Sequence, residues 1–186
     1  MERIKRYLTV NHHLSNYQVA QIFFLCKTLF SEISKILLMG VLFAHRLPFY
    51  FFALFIMVFL RCSMGGLHFD TYIGCLAAST LYLWLAVVLL PRMAVARALQ
   101  IIALLLCILI CNVVGPVVSK YRPASIQKQF RKNTRFTTLF ILIYGLILYR
   151  IPQNPYMRVG FWVILLHSLQ LMAAKIRKKG EPQNDR

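Results

Sequence analysis

The sequence predicts an all-α, multi-pass membrane protein, and three observations carry that prediction. Apolar residues make up 59% of the chain, above the roughly 45 to 50% of soluble domains. Twenty-two Lys and Arg face five Asp and Glu, giving a net charge of +17, yet only 15% of residues are charged, so the charges are confined between apolar stretches. Charge-free runs reach about twenty residues, the length a helix needs to cross a hydrocarbon core about 30 Å thick at about 1.5 Å per residue. A soluble globular domain is excluded, and a nucleic-acid-binding domain of this charge would not carry such runs.

Taken in order, residues 19–44 are apolar overall but contain Lys27, Glu32 and Lys35. Lys27, Ser31, Ser34 and Lys35 recur at helical spacing and form one polar stripe. Such a helix lies in the membrane interface, or spans with its stripe facing a protein cavity. His45, Arg46 and Pro48 interrupt the pattern before residues 47–60 supply fourteen more uncharged positions. These two helices are expected to form an N-terminal amphipathic hairpin. Residues 72–90 and 98–118 are nineteen and twenty-one residues without a charge and read as spans. The shorter runs 136–149 and 159–174 cross if tilt, local thinning or snorkelling of Arg135, Arg150 and Arg158 closes the gap. About six hydrophobic helices result, four assigned as spans and two as the hairpin. The basic start leads into polar residues rather than an apolar stretch and cleavage site, so a retained membrane protein is expected. Residues 1–174 read as one membrane-embedded domain and residues 175–186 as a basic, disordered tail.

Charge distribution orients this layout. Fifteen of the 22 basic residues fall on the face that carries both termini, the 61–71 loop and the 119–135 loop, against five on the other face. The positive-inside rule makes the richer face cytoplasmic.

The stretch richest in chemistry begins at Arg61 and runs past Cys75. Gly65 and Gly66 permit a sharp turn beside the membrane. His68 and Cys75 are seven residues apart, about 10 Å along one straight helix and too far for ready proton transfer. They become a usable pair if the helix starts near Asp70 or Thr71, because His68 then lies in the loop and folds back over Cys75. Cys75 would sit at the helix N-terminus, where the dipole and an imidazolium favour thiolate, as a cysteine nucleophile requires. The plainer alternatives are a Cys that fills space and a His that rests at the interface. Asp70 either orients His68 or caps the helix, and the cap is the expected role. Arg61 either anchors a substrate carboxylate or carbonyl, or snorkels at the end of the preceding helix.

Arg61, Gly65, Gly66, His68 and Cys75 together resemble the signature of the accessory gene regulator B (AgrB) family, and Ser79, one turn beyond Cys75, fits its small polar positions. Leu67 and Phe69 stand where members often carry an aromatic residue and Ala. The resemblance implies a cysteine endopeptidase of the bacterial cell membrane that processes a short AgrD-like quorum-sensing precursor peptide on the cytoplasmic side. His68 would serve as general base and Cys75 as nucleophile. The acyl-thioester would then be captured by a Cys or Ser of the precursor to close a thiolactone or lactone ring. Arg61, Gly65, Gly66, Asp70 and Ser79 would support or position the substrate. Precursors in this family commonly end in an acidic segment, so the resemblance also implies a docking role for Lys128, Arg131 and Lys132. Without it, their basic loop reads as a topology signal that attracts anionic lipid, at about 1 kcal/mol per residue.

No metal or other cofactor is expected. Cys107 and Cys111 share a helix face but read as packing residues, and His167 lies in an apolar helix with no carboxylate to complete a relay. No nucleic-acid partner is expected, and a homo-oligomer stays open. The rival reading is a non-enzymatic small membrane transporter or peptide exporter component, in which the glycines only form a re-entrant turn.

Overall fold

The computed structural model describes residues 15–67, 71–117 and 127–180, which are predominantly helical. The chain divides into two compact units, Met1–Ala44 and His45–Arg186. The first holds α1 (Asn16–Leu42), opened by a reciprocal cap: Ser15 Oγ accepts from the Gln18 amide and Gln18 Oε1 accepts from the Ser15 amide. This satisfies two of the donors that a helix start leaves free. Lys35 pairs with Glu32 one turn earlier, Nζ to Oε1 2.6 Å, so part of the polar stripe is neutralised internally.

The second unit is a helix bundle. After a 3-10 turn at Ala44–Arg46 come α2 (Leu47–Met64), α3 (Tyr72–Trp84), α4 (Arg97–Val114), α5 (Gln127–Arg150) and α6 (Pro155–Gly180). Helices α2 and α6 form its centre, with α5 against α2 and α4 against both α5 and α6. Four segments are long and apolar enough to cross a membrane: Ala44–Met64, Tyr72–Arg92, Arg97–Val114 and Pro155–Arg177. The protein is an all-α polytopic membrane protein.

Three departures from the sequence reading have simple causes. Residues 47–60, expected as the second arm of an N-terminal hairpin that either crosses the membrane or lies on it, form a span-length helix in the core of the second unit, with Tyr50, Ala53, Leu60 and Met64 fully enclosed. Helix α5 is not among the four apolar segments, because its first turns carry Lys128, Arg131, Lys132 and Arg135 and only its second half is apolar. The tail expected from residue 175 instead begins as helix: α6 continues to Gly180, and Lys175 Nζ donates to the carbonyls of Val113 and Val114 at 3.2 and 2.8 Å. Those carbonyls belong to the last turn of α4, which has no intrahelical donors left for them.

Helix α3 ends irregularly for a related reason. Its continuation widens into a π turn at Leu85–Leu89 and tightens into a 3-10 turn at Leu90–Arg92. Pro91 lacks the amide that would have bonded the Val87 carbonyl, and Arg46 Nη1 donates to that oxygen instead, at 3.3 Å.

Candidate functional site

Chain exits from two helices meet at one end of the second unit. Helix α2 stops at Gly65, whose φ of 77° lies in the left-handed region. A Cβ there would collide with the carbonyl oxygen of Val117, so glycine is required twice over. The contact exists because residues 65 and 117 form a single parallel bridge, secured by the Val117 amide donating to the Met64 carbonyl at 2.9 Å. Val117 follows α4, which ends at Gly115.

Helix α3 starts at this same end. Its cap is Thr71, whose Oγ1 accepts from the Gly74 amide at 3.2 Å. Thr71 therefore takes the capping role expected of Asp70, because its hydroxyl is the oxygen that reaches the free N3 amide. Asp70 and His68 lie outside the described residues. Cys75 is in the first turn of α3, half-buried, with its amide bonded to the Thr71 carbonyl at 3.0 Å. Ser79 follows one turn later and is buried. None of the described cysteines is in a disulfide.

Of the remaining site residues, Arg61 is half-buried in the last turn of α2 and lies alongside Gly66, which is buried. The Lys128 side chain lies outside the described residues. Arg131 and Lys132 are exposed and, with Arg135, Phe136 and Leu139, line an open cleft of about 480 Å³ on α5. Asn133 Nδ2, between them, donates to the Ser63 carbonyl at 3.2 Å, which ties the basic start of α5 to the end of α2.

The structure also shows polar groups that sequence reasoning passed over. Among the described residues, Arg61 Nε, Thr137 Oγ1, both ring nitrogens of His167 and Gln170 Oε1 are buried without a hydrogen-bond partner. The sequence of this helix offers no carboxylate to pair with His167, and nothing local singles out Gln170 by itself. Their signal was present: two polar residues at i and i+3 share a face of an otherwise apolar helix. Cys107 and Cys111 point inward from α4, both within reach of the Ser168 hydroxyl, as packing residues do. Among the described residues no group of three His, Cys, Asp or Glu could hold a metal.

Comparison with known proteins places this arrangement. The sequence matches the family Accessory gene regulator B over residues 1–171, nearly its whole length. The chain belongs to the AgrB family. A relative described as a putative AgrB-like protein, from Clostridium beijerinckii, is 27% identical over 143 residues, which cover 75% of this chain and 69% of the relative. No solved structure matches the chain significantly. AgrB membership gives the protein a role in quorum-sensing peptide processing, with an AgrD-like precursor as the general substrate.

Proposed function

We propose that this AgrB-family protein is a membrane-embedded cysteine endopeptidase, with Cys75 as nucleophile and His68 as general base. The observation that carries the reading is the setting of Cys75: a half-buried thiol in the capped first turn of α3, at the end of the bundle where Arg61, Gly65 and Gly66 converge.

The chemistry runs in two transfers. Cys75 Sγ attacks the carbonyl carbon of a precursor peptide bond while His68 takes the thiol proton. The C–N bond then breaks, the leaving amine receives that proton, and the retained peptide is held as a thioester on Cys75. A Cys thiol or Ser hydroxyl of the precursor attacks the thioester carbonyl next, giving up its proton to His68, closing the ring and releasing Cys75. Exchange of one thioester for another is nearly balanced in energy, so ring closure competes with hydrolysis when the precursor nucleophile is held close and water is kept away.

The exposed Arg131 and Lys132, with Lys128, would dock the acidic end of the precursor beside this site, on the cytoplasmic face. The ion pairs involved are solvent-accessible, so docking would weaken as salt rises. Cys75→Ala should abolish both precursor cleavage and the covalent adduct in membranes carrying the purified protein. Cleavage that survives the substitution would refute Cys75 as the nucleophile, whereas a precursor left uncleaved by the unsubstituted protein would return it to a transporter or exporter reading.

A further inference from the structure

The faces of α3 and α6 that look towards each other can be read from one bond. Tyr82 Oη donates to the Val163 carbonyl at 2.6 Å, which sets the Tyr82 side chain against the α6 backbone at Val163. On α3, Cys75, Ser79 and Tyr82 follow one another at i, i+4 and i+7 and so share a face; on α6, Val163, His167 and Gln170 do the same. The helices run antiparallel, since the start of α6 meets the end of the α3 segment around Pro91, Arg92 and Pro155. Counting seven residues from the bond towards the Gly65 end, about 10 Å on each helix, brings Cys75 and Gln170 to the same depth. Ser79 and His167 are level about one turn short of that. Along this stretch the helices are not in close contact: α6 packs against the turns Leu85–Leu89 and Leu90–Arg92 rather than along the body of α3.

Opposite Cys75, then, are side chains whose polar atoms have no partner. His167 is 1% exposed, with both ring nitrogens unbonded. Gln170 Oε1 and Arg61 Nε are buried and unbonded, and each lies 3.7 Å from the point where a side chain at Gly66 would begin. A buried polar group left unpaired is destabilising by about 1 to 3 kcal/mol, so several gathered beside Gly66 mark a place where something else completes the bonding.

We infer that Arg61, His167 and Gln170 form a subsite beside Gly66, at the depth of Cys75, that binds the backbone of the peptide being processed. The inference rests on the peptide-processing reading and adds the residues that hold the substrate. The donor and acceptor set selects the ligand. Arg61 Nε offers only a donor, Gln170 Oε1 only an acceptor, and a neutral imidazole one of each. A peptide group presents the complement, its C=O to Arg61 and its N–H to Gln170. An anion would meet the unpaired Gln170 oxygen, and a cation would meet the guanidinium. Gly66 matters because a side chain there would enter the space between donor and acceptor.

The test uses the full-length protein in lipid nanodiscs, with Cys75→Ala to prevent turnover. The probe is a fluorescein-labelled synthetic peptide with an amphipathic leader, a Cys-bearing core and an acidic tail. Gln170→Met keeps the shape and removes the acceptor; it should weaken binding about tenfold, while the melting temperature holds or rises because an unpaired buried group has been removed. Gly66→Ala meets only ordinary contacts at 3.7 Å, so it should fold normally and also weaken binding. Binding that is unchanged in both variants, with a lower melting temperature for Gln170→Met, would mean that these groups hold an ordered water only, and would overturn the inference. The parent reading is scored separately. Peptide that binds the unsubstituted protein but is never cleaved sinks the peptidase and leaves the subsite, whereas cleavage by the unsubstituted protein, with unweakened binding in both variants, sinks the subsite alone.

Discussion

Helices α4 and α6 are both apolar enough to cross a membrane, yet half of the most apolar window of α6 is buried against 17% for α4. Helix α4 turns one narrow face inward, Leu104, Cys107 and Cys111, and leaves Leu105, Leu106, Leu109 and Val113 outward. Helix α6 is enclosed from several sides, by Val159, Phe161, Val163, Ile164 and Leu171, and it is the one that carries His167, Ser168 and Gln170. The difference teaches that hydropathy identifies a span but not its neighbours. In lipid, apolar surface gains little by leaving the bilayer, so packing and polar contacts decide which helix is central.

The sharpest way to break the contrast is at Gly160, where α6 comes so close to its neighbours that a Cβ would lie 2.5 Å from Tyr144 Oη and 2.8 Å from Ile56 Cδ1. Gly160→Val should destabilise the bundle by about 3 kcal/mol through overpacking, read as a fall in the unfolding midpoint in detergent. A smaller effect is expected where the two helices meet. Lys175→Met removes the donor to the Val113 and Val114 carbonyls and should weaken the bundle by about 1 kcal/mol, with faster amide exchange at Gly115 and the last turn of α4. The smallest belongs to the outward face of α4. Leu106→Val, at a position 54% exposed, should stay within about 0.5 kcal/mol. A large loss there would show that α4 is covered by another chain.

Much of this was legible in the residues. Uncharged runs located α3, α4 and α6 because a span must exclude charge along its whole length, and Gly65 and Gly66 marked a turn because few other residues adopt that backbone. The family resemblance also rested on local spacing, from Arg61 to Ser79. What escaped was set by tertiary contact. Nothing near Lys175 announces that its ammonium will cap a helix ended sixty residues earlier, nor near Arg46 that it will serve the carbonyl Pro91 leaves unbonded. Thr71 and Asp70 are equally good caps on composition, and only the placed hydroxyl separates them. An intramembrane His such as His167 suggests a carboxylate partner that its helix lacks, whereas other buried, unbonded polar atoms are on Gln170 of its own helix and Arg61 of another.

The bridge between Gly65 and Val117 has one more consequence. It rivets together two stretches of chain that would otherwise end independently, so the segments continuing beyond Leu67 and beyond Val117 depart from a common anchorage. Tension applied to the second, the segment that leads into the basic start of α5, is delivered to the backbone three residues before position 68. A single rung of main chain thus couples the two departures mechanically, so that a pull on either segment is felt by the other.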